Sequence, residues 1–328
     1  MRYHRCEKMV GMRRLLVCFC ILLASCYKPE DSYRSVLSDG ILTLADPYIL
    51  EDNGVFYMYG TLSESGILVS KSNNLHSWSD CCGLAKYDLA LYRKDVWGEQ
   101  DFWAPEVYKV NNKYIMTYTA DRHICYAESD SPCGPFVQEY KQPYLAGEDG
   151  IDSSIFIDND GQAYICWDRH IDQGGIWIAK MSDDLMHIDI ESAVWALDVG
   201  YNTWENIDGW ICEGAQIVKH KDLYFMIYSC NAYTSEHYAV GYAVSKHPMG
   251  PYKKYEGNPI LYMHGGYLGT GHASILQSSI GDYIVYHAHN TNIHPRITLL
   301  SPIEFVKQNN EWVICVSDEI IHPQVEMQ

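Results

Sequence analysis

The amino-acid sequence predicts an all-β fold, a five-bladed β-propeller with four antiparallel strands in each blade. Three observations support this prediction. One strand–turn–strand unit occurs five times, a second pair of strand-like runs follows each copy, and no long stretch has the 3.6-residue period of an amphipathic helix. A β-helix, the main alternative, needs a much shorter repeat period than this chain has.

Each copy of the unit has the pattern of a β-hairpin. A strand-like start leads into polar turn residues, such as Asp52-Asn53-Gly54, and then into an aromatic-rich strand of alternating polarity. The five copies cover residues 46–61, 104–120, 152–168, 213–229 and 272–288. Their starts are separated by 58, 48, 61 and 59 residues, so each copy has room for a whole four-stranded blade.

A second strand pair follows each hairpin and completes its blade. In each case an apolar strand leads into a turn rich in Ser or Asp and then into a segment with an aromatic residue or isoleucine at its end. These segments cover residues 67–79, 124–136, 176–188 and 240–252, with a looser fifth at 297–314. The propeller is therefore expected to form one domain that spans residues 41–328.

The N-terminus has the features of an export signal. Two arginines precede the apolar run of residues 15–23, which is long enough for a secretory signal and too short to span a bilayer. The run continues into Ala24-Ser25-Cys26, which resembles a bacterial lipoprotein signal with its lipid-bearing cysteine. We expect a signal peptide over 1–25, a lipid on Cys26, a tether over 26–40 and a location in the cell envelope. An ordinary secretory peptide is the alternative.

The charge of the chain restricts its partners. It has 24 Lys and Arg against 42 Asp and Glu, a net charge of −18. Nucleic acids and other polyanions need a basic face, so neither is expected as a partner. A neutral glycan is compatible with this charge, and 47% hydrophobic residues are enough for a sizeable core.

The cysteines beyond the signal show no metal-binding pattern. None of them forms a CxxC pair, so no structural zinc site is expected. Several lie in apolar strand-like runs, which favours buried free thiols, although export permits disulfides and leaves their pairing open. The eight are Cys81, Cys82, Cys125, Cys133, Cys166, Cys212, Cys230 and Cys315.

The propeller geometry brings the starts of the five hairpins together. The innermost strand of each blade lines the central channel, so equivalent positions converge at one end of it. Those positions hold Asp46, Ala104, Asp152, Glu213 and His272. Converging carboxylates repel one another and lose solvation, so at least one pKa is expected to rise. Two carboxylates, one protonated and one ionised, are the groups that glycoside hydrolysis needs.

Three further residues are candidates for the site or its surroundings. Trp103 precedes the second hairpin and is suited to stack on a sugar ring, although a tryptophan in the blade core is an equal alternative. His287 and His289 alternate along a strand and face one way. Without a third ligand, structural or substrate-facing roles are favoured over a metal pair for both.

Five short motifs together resemble glycoside hydrolase family 43. They occur in the family's order, and the resemblance covers residues 41–328. The motifs are Ala45-Asp46-Pro47-Tyr48-Ile49, Trp103-Ala104-Pro105-Glu106-Val107, Ile151-Asp152 with Asp158-Asn159-Asp160-Gly161, Glu213-Gly214, and Gly269-Thr270-Gly271-His272.

The resemblance implies a five-bladed propeller and inverting hydrolysis of arabinose- or xylose-containing glycans. It gives Asp46 the role of general base, Glu213 that of general acid, and Asp152 that of a third carboxylate that orients the acid and modulates its pKa. Arg296 matches an arginine that contacts the sugar. His272 matches an axial histidine, which in some members meets a structural calcium through water. No other cofactor is implied.

Two residues depart from the family's pattern, and several activities stay open. Ser153 stands where a proline often follows the modulator aspartate, and Ala215 stands where a proline often follows Glu-Gly. Neither change removes a carboxylate, so both are expected to affect loop shape rather than chemistry. We expect an exo-acting α-L-arabinofuranosidase or β-D-xylosidase acting on plant polysaccharide or oligosaccharide. An endo-arabinanase and a non-catalytic glycan-binding lipoprotein are the alternatives. Inversion requires the base and acid carboxyls to be about 6.5–9.5 Å apart.

Overall fold

A computed structural model describes residues 40–170 and 175–325 of the chain. The predicted signal peptide, the lipid site at Cys26 and the tether up to residue 39 lie outside the described residues. No helix in the described part has both the length and the apolar character needed to cross a bilayer.

The described residues form five sheets, each of them one blade. Blade 1 contains β1 (Ala45–Asp52), β2 (Val55–Ser63), β3 (Gly66–Ser72), β4 (Ser77–Trp78) and β5 (Leu91–Tyr92). Blade 2 contains β6 (Trp103–Val110), β7 (Lys113–Ala120) and β8 (His123–Ser129). Blade 3 contains β9 (Gly150–Ile157), β10 (Ala163–Arg169), β11 (Ile176–Met181) and β12 (Ile188–Leu197).

The remaining strands complete the propeller. Blade 4 contains β13 (Cys212–His220), β14 (Leu223–Cys230), β15 (Ala239–Ser245) and β16 (Lys253–Lys254). Blade 5 contains β17 (Gly271–Ser278), β18 (Gly281–Ala288), β19 (Ile297–Gln308) and β20 (Glu311–Val316), and β21 (Gln324–Val325) returns to blade 1. Short 3-10 helices occur at Lys86–Asp88, Arg93–Asp95, Trp204–Asn206 and His264–Gly266.

The innermost strands close into a ring, which confirms the predicted five-bladed propeller. Strands β1, β6, β9, β13 and β17 contact one another in cyclic order, and β17 contacts β1 again. Within each blade the successive strands pair antiparallel, as the hairpin turns predict. Strand β21 pairs in parallel with β4 and fastens the end of the described chain to blade 1.

The hydrophobic core is divided among the five interfaces between neighbouring blades. Each interface has its own cluster of buried side chains, because each sheet is covered on both faces by its neighbours. Representative pairs within these clusters are Met58 and Val285 (blades 1 and 5), Tyr59 and Met116 (1 and 2), Ile115 and Ile165 (2 and 3), Cys166 and Met226 (3 and 4), and Phe225 and Tyr286 (4 and 5).

Blade 2 has the least regular outer edge. Its fourth strand is reduced to a single antiparallel bridge between Glu128 and Val137, with N–O distances of 3.0 and 2.9 Å. Pro132 and Pro135 lie in the segment that leads to this bridge. Because proline has no amide hydrogen, these two positions cannot donate to a longer ladder.

Candidate active site

All five innermost strands bend at the same point, near their first residues. At each bend the register with the second strand shifts, and one residue has a left-handed backbone conformation. Those residues are Asp46, Ala104, Asp152, Gly214 and His272, with φ between +44° and +58°. Four of them have side chains, for which this conformation is unfavourable, so the surrounding structure must hold it.

Polar side chains of the neighbouring blades hold these bends. In four cases the second strand of one blade carries a side chain that accepts a hydrogen bond from the backbone N–H at the bend of the next blade. The pairs are Thr61 with Ala104 (2.8 Å), Thr119 with Asp152 (3.0 Å), Ser229 with His272 (2.9 Å) and His287 with Asp46 (3.2 Å). At the fifth bend the backbone amide of Gly214 acts on the Asp152 carboxyl and lowers its pKa.

The structure corrects the predicted position of Glu213 in its repeat. Gly214, not Glu213, occupies the place equivalent to Asp46, and Glu213 pairs with Ser229 one residue earlier. The bend inserts extra residues into the inner strand, so side chains there do not alternate regularly between the two faces of the sheet, as the alignment of the repeats assumed. Glycine is favoured there, because a Cβ at Gly214 would lie only 3.2 Å from the ring of His272 in a backbone conformation that side chains rarely adopt.

A cavity of about 540 Å³ opens at this end of the channel. This size is in the range of small-molecule sites. Its lining includes every residue that the sequence predicted for catalysis or sugar binding: Asp46, Trp103, Asp152, Glu213, His272 and Arg296. A larger groove lies between the outer parts of blades 4 and 5, and none of these residues lines it.

Asp46 is buried and ionised. Burial by itself would raise the pKa of this carboxyl, but the Arg296 guanidinium, together with His272 and His287, holds it well below its usual value. Arg296 donates from Nη1 to Oδ1 of Asp46 over 3.0 Å. Nδ1 of His272 lies 3.4 Å from the same oxygen. A buried carboxylate that is kept ionised in this way is suited to act as a base.

Asp152 and Glu213 have the opposite tendency. Burial is the largest cause, and it raises the pKa of Glu213 to about 7 and that of Asp152 well above its usual value. Neighbouring carboxylates raise both pKa values further: Asp168 and Asp46 act on Glu213, and Glu213, Asp46 and Asp168 act on Asp152. The two acids therefore hold a proton together near neutral pH.

One residue that the sequence did not identify supports the acid. Tyr238 is fully buried and donates its hydroxyl to Oε1 of Glu213 over 2.8 Å. Its ring stacks on His287 with the centroids 5.6 Å apart. Gly271 permits this arrangement, since a Cβ there would lie 2.2 Å from the tyrosine ring. Gly271, the second glycine of the Gly-Thr-Gly-His motif, was the only feature of the sequence that pointed to this close contact with Tyr238.

The two alternating histidines take separate structural roles. His287 is fully buried and accepts from the Asp46 amide, and burial followed by the charge of Arg296 lowers its pKa to about 3. Nε2 of His289 lies 2.7 Å from the carbonyl of Tyr233, whose ring is 4.6 Å below the Arg296 guanidinium. The histidines thus position the base and a wall of the cavity, as the favoured interpretation predicted.

One set of side chains in the described residues has the spacing of a metal site. Asp152, Glu213 and His272 each present a ligand atom within 4.8 Å of the others. Calcium prefers six to eight oxygens, whereas this set offers two carboxylates and a nitrogen. A cation there would also favour the ionised form of Glu213 and remove the proton that an acid needs. The set does not fit a resident calcium, and a calcium held through water at His272 stays a prediction.

Comparison with known proteins shows the family of the chain. The model of the family described as glycosyl hydrolases family 43 matches residues 40–312. The crystal structure of an endo-1,4-β-xylanase from Bacteroides thetaiotaomicron is similar, with 36% identity and a TM-score of 0.81 over 89% of this chain and 100% of that one.

Two curated relatives come from Bacillus subtilis. A β-xylosidase is 26% identical over 76% of this chain and 48% of its own length. An extracellular endo-α-(1→5)-L-arabinanase is 25% identical over 77% of this chain and 59% of its own length. The chain thus spans about half the length of these two relatives. With the family model matched over most of the propeller, the chain belongs to glycosyl hydrolase family 43.

Proposed function

We propose that the protein hydrolyses glycosidic bonds in arabinose- or xylose-containing plant polysaccharides, with inversion at the anomeric carbon. Asp46 is the general base in this proposal, Glu213 the general acid, and Asp152 the modulator of the acid. The observation that supports it best is the opposite protonation of two carboxyls in one cavity. The pKa of Asp46 lies well below its usual value, and that of Glu213 is raised to about 7.

These two states match the two proton transfers of inverting hydrolysis. Asp46 takes a proton from a water molecule as that water attacks the anomeric carbon, and Glu213 gives a proton to the glycosidic oxygen as the bond breaks. Because Tyr238 donates to Oε1 of Glu213, the acid proton resides on Oε2. Solvent then removes the proton from Asp46 and restores the one on Glu213.

The other residues of the cavity bind and orient the sugar. Trp103 offers an aromatic face, and Arg296 keeps Asp46 ionised while its remaining donors can reach sugar hydroxyls. The similar proteins reported above are named as a xylanase, a β-xylosidase and an arabinanase, which supports pentose-containing substrates. Within that class we propose an exo-acting α-L-arabinofuranosidase or β-D-xylosidase. No cofactor is required, since a cation at the carboxyls would remove the acid proton.

Hydrolysis of nitrophenyl glycosides tests this proposal. The purified protein is assayed on the α-L-arabinofuranoside and the β-D-xyloside, with and without EDTA, beside the variant Glu213→Gln. We expect release of one sugar, unaffected by EDTA and slowed in the variant, with the inverted anomer as the first product in proton NMR. Retention of configuration would contradict the roles of Asp46 and Glu213. Inactivity on both glycosides, on arabinan and on arabinoxylan would contradict hydrolysis itself.

We also propose a lipid anchor at Cys26 that keeps the enzyme at the cell envelope. The support is the sequence alone: two arginines, the apolar run of residues 15–23 and Ala24-Ser25-Cys26. Fractionation of cells expressing the full chain and the variant Cys26→Ser tests it. The native chain is expected in the membrane fraction with a lipid on its first residue. Equal distribution of the two proteins would contradict the anchor.

A further inference from the structure

Two exposed aromatic rings lie together on the loop that connects blades 3 and 4. Tyr201 is 73% exposed and Trp210 is 43% exposed, and their ring centroids are 6.0 Å apart. Both belong to the loop of residues 198–211, which connects β12 to β13. Single exposed apolar residues are common on protein surfaces, but two neighbouring aromatic rings on one loop form a patch that is suited to bind a partner.

The 198–211 loop is fixed in place by buried polar contacts. Glu205 is only 2% exposed, and it accepts a hydrogen bond from the hydroxyl of Tyr228 (2.7 Å) and pairs with Lys254 (2.5 Å). The ring of Trp204 stacks on Tyr228 with the centroids 6.0 Å apart. A surface that is already ordered loses less entropy when a ligand binds, so these contacts favour recognition by the exposed rings.

The same loop is joined to the wall of the catalytic cavity. The side-chain oxygen of fully buried Asn231 accepts from the backbone N–H groups of Ile207 (2.8 Å) and Asp208 (3.1 Å). Two residues further along the chain, Tyr233 lines the cavity. Ser235 also donates a hydrogen bond to the carboxylate of Asp208. The loop that carries the exposed rings is therefore tied to the segment that contributes Tyr233 to the cavity wall.

The position of the acid indicates which part of a substrate crosses this surface. A general acid must face the glycosidic oxygen, so the leaving glycan lies on the side of the acid. Glu213 is on blade 4, and Trp210 precedes it by three residues, a span of at most about 10 Å. A glycan that leaves past Glu213 therefore meets the loop that presents Trp210 and Tyr201.

We infer that Tyr201 and Trp210 are binding subsites for the leaving glycan. This inference rests on the proposed function and makes it more specific. The preferred substrate is an oligosaccharide or polysaccharide with at least two sugars beyond the cleaved bond, and a single sugar or aryl leaving group is a poor one. Aromatic stacking on the sugar faces supplies the added binding energy.

Chain-length dependence tests the inference. We compare kcat/KM of the native protein, Tyr201→Ala and Trp210→Ala on a nitrophenyl glycoside and on β-1,4-xylo- or α-1,5-arabino-oligosaccharides of two to six units. In the native protein kcat/KM is expected to rise with length. Each variant is expected to lose about tenfold on the longest substrate and less than twofold on the nitrophenyl glycoside. Tyr140→Ala is the matched control, because Tyr140 is also 73% exposed but follows blade 2.

Binding to an inactive enzyme separates this inference from the proposed hydrolysis. In the Glu213→Gln background, calorimetry with the six-unit oligosaccharides measures affinity without turnover, and Trp210→Ala is expected to weaken it about tenfold. If the protein hydrolyses nothing but this loss is seen, hydrolysis is wrong and the glycan surface is right. If hydrolysis is found and neither variant changes its length dependence, or Tyr140→Ala has the same effect, the inferred subsites are wrong.

Discussion

The hydroxyl of Tyr238 donates a hydrogen bond to Oε1 of Glu213 over 2.8 Å, where burial raises the pKa of the carboxyl to about 7. This bond favours the ionised form of Glu213 and so opposes the effect of burial. It also leaves Oε2 as the oxygen that carries the proton toward the leaving group. Tyr238 is therefore a positioning residue for the acid, although it lines no part of the cavity.

Replacing Tyr238 by phenylalanine is expected to raise the pKa of Glu213. The basic limb of the kcat/KM profile reports loss of the acid proton, so native activity falls as the pH rises through about 7. Without the hydroxyl this limb moves upward by about one pH unit, since one hydrogen bond to a charged group is lost. If Tyr238→Phe lowers the rate but leaves the basic limb at the native pH, Tyr238 has only a structural role.

Removing the Arg296 charge is expected to raise the pKa of Asp46. Arg296 is the strongest of the groups that lower this pKa against the effect of burial. The base must be ionised, so native activity appears as the pH rises through a value well below the usual one for aspartate. In Arg296→Met the acidic limb of kcat/KM moves upward to above about pH 4. Arg296→Lys keeps the charge, and its limb is expected to stay near the native position.

Much of the fold could be predicted from sequence because its signals are local and repeated. Each hairpin carries its own turn residues, such as Asp52-Asn53-Gly54, and five such units at intervals of 48 to 61 residues leave room for five blades. Asp46 and Asp152 converge because they occupy equivalent positions in two blades that are related by the symmetry of the propeller. Blade 2 departs from that symmetry, because a bridge at Val137 replaces its fourth strand.

The parts of the site that escaped prediction depend on contacts between distant segments. Glu213 lies one residue before its expected position, because a bend in the inner strand interrupts the alternation on which the alignment depended. Tyr238 reaches the acid from 25 residues further along the chain, and no local pattern distinguishes it from the other tyrosines. The pairing of Arg296 with Asp46 joins opposite ends of the described chain in the same way.

The acid role predicts a dependence on the leaving group. Glu213→Gln keeps an oxygen that can accept from Tyr238 but has no acidic proton. On substrates with a sugar leaving group, kcat is expected to fall about 10² to 10⁴-fold. On a dinitrophenyl glycoside the fall is expected to be much smaller, because that leaving group departs without protonation. An equal fall on both substrates would indicate a general loss of structure, which circular dichroism would show independently.

The bends of the inner strands can be tested with a matched pair of variants. Thr119 and Thr61 accept from the backbone N–H groups of Asp152 and Ala104, respectively. Valine at either position leaves that amide without its partner, so each variant is expected to lose about 1–3 kcal/mol in urea unfolding. Only Thr119→Val displaces a catalytic carboxyl, so its kcat is expected to fall much further. Equal effects on kcat would contradict this account of the bends.

The thiols of Cys82 and Cys133 are placed to form a disulfide between blades 1 and 2. Their sulfurs are 3.3 Å apart, and the hydrogen bond from Cys82 lowers the pKa of Cys133 to about 7. Oxidised glutathione is therefore expected to react at the Cys133 thiolate, after which Cys82 displaces the glutathione. Buried Cys125 and Cys166 have raised pKa values and should stay reduced.

Peptide mapping should find the Cys82–Cys133 link, with a rise in Tm of about 5 °C that is absent from Cys82→Ser. A link from Cys133 to any other cysteine would contradict the geometry.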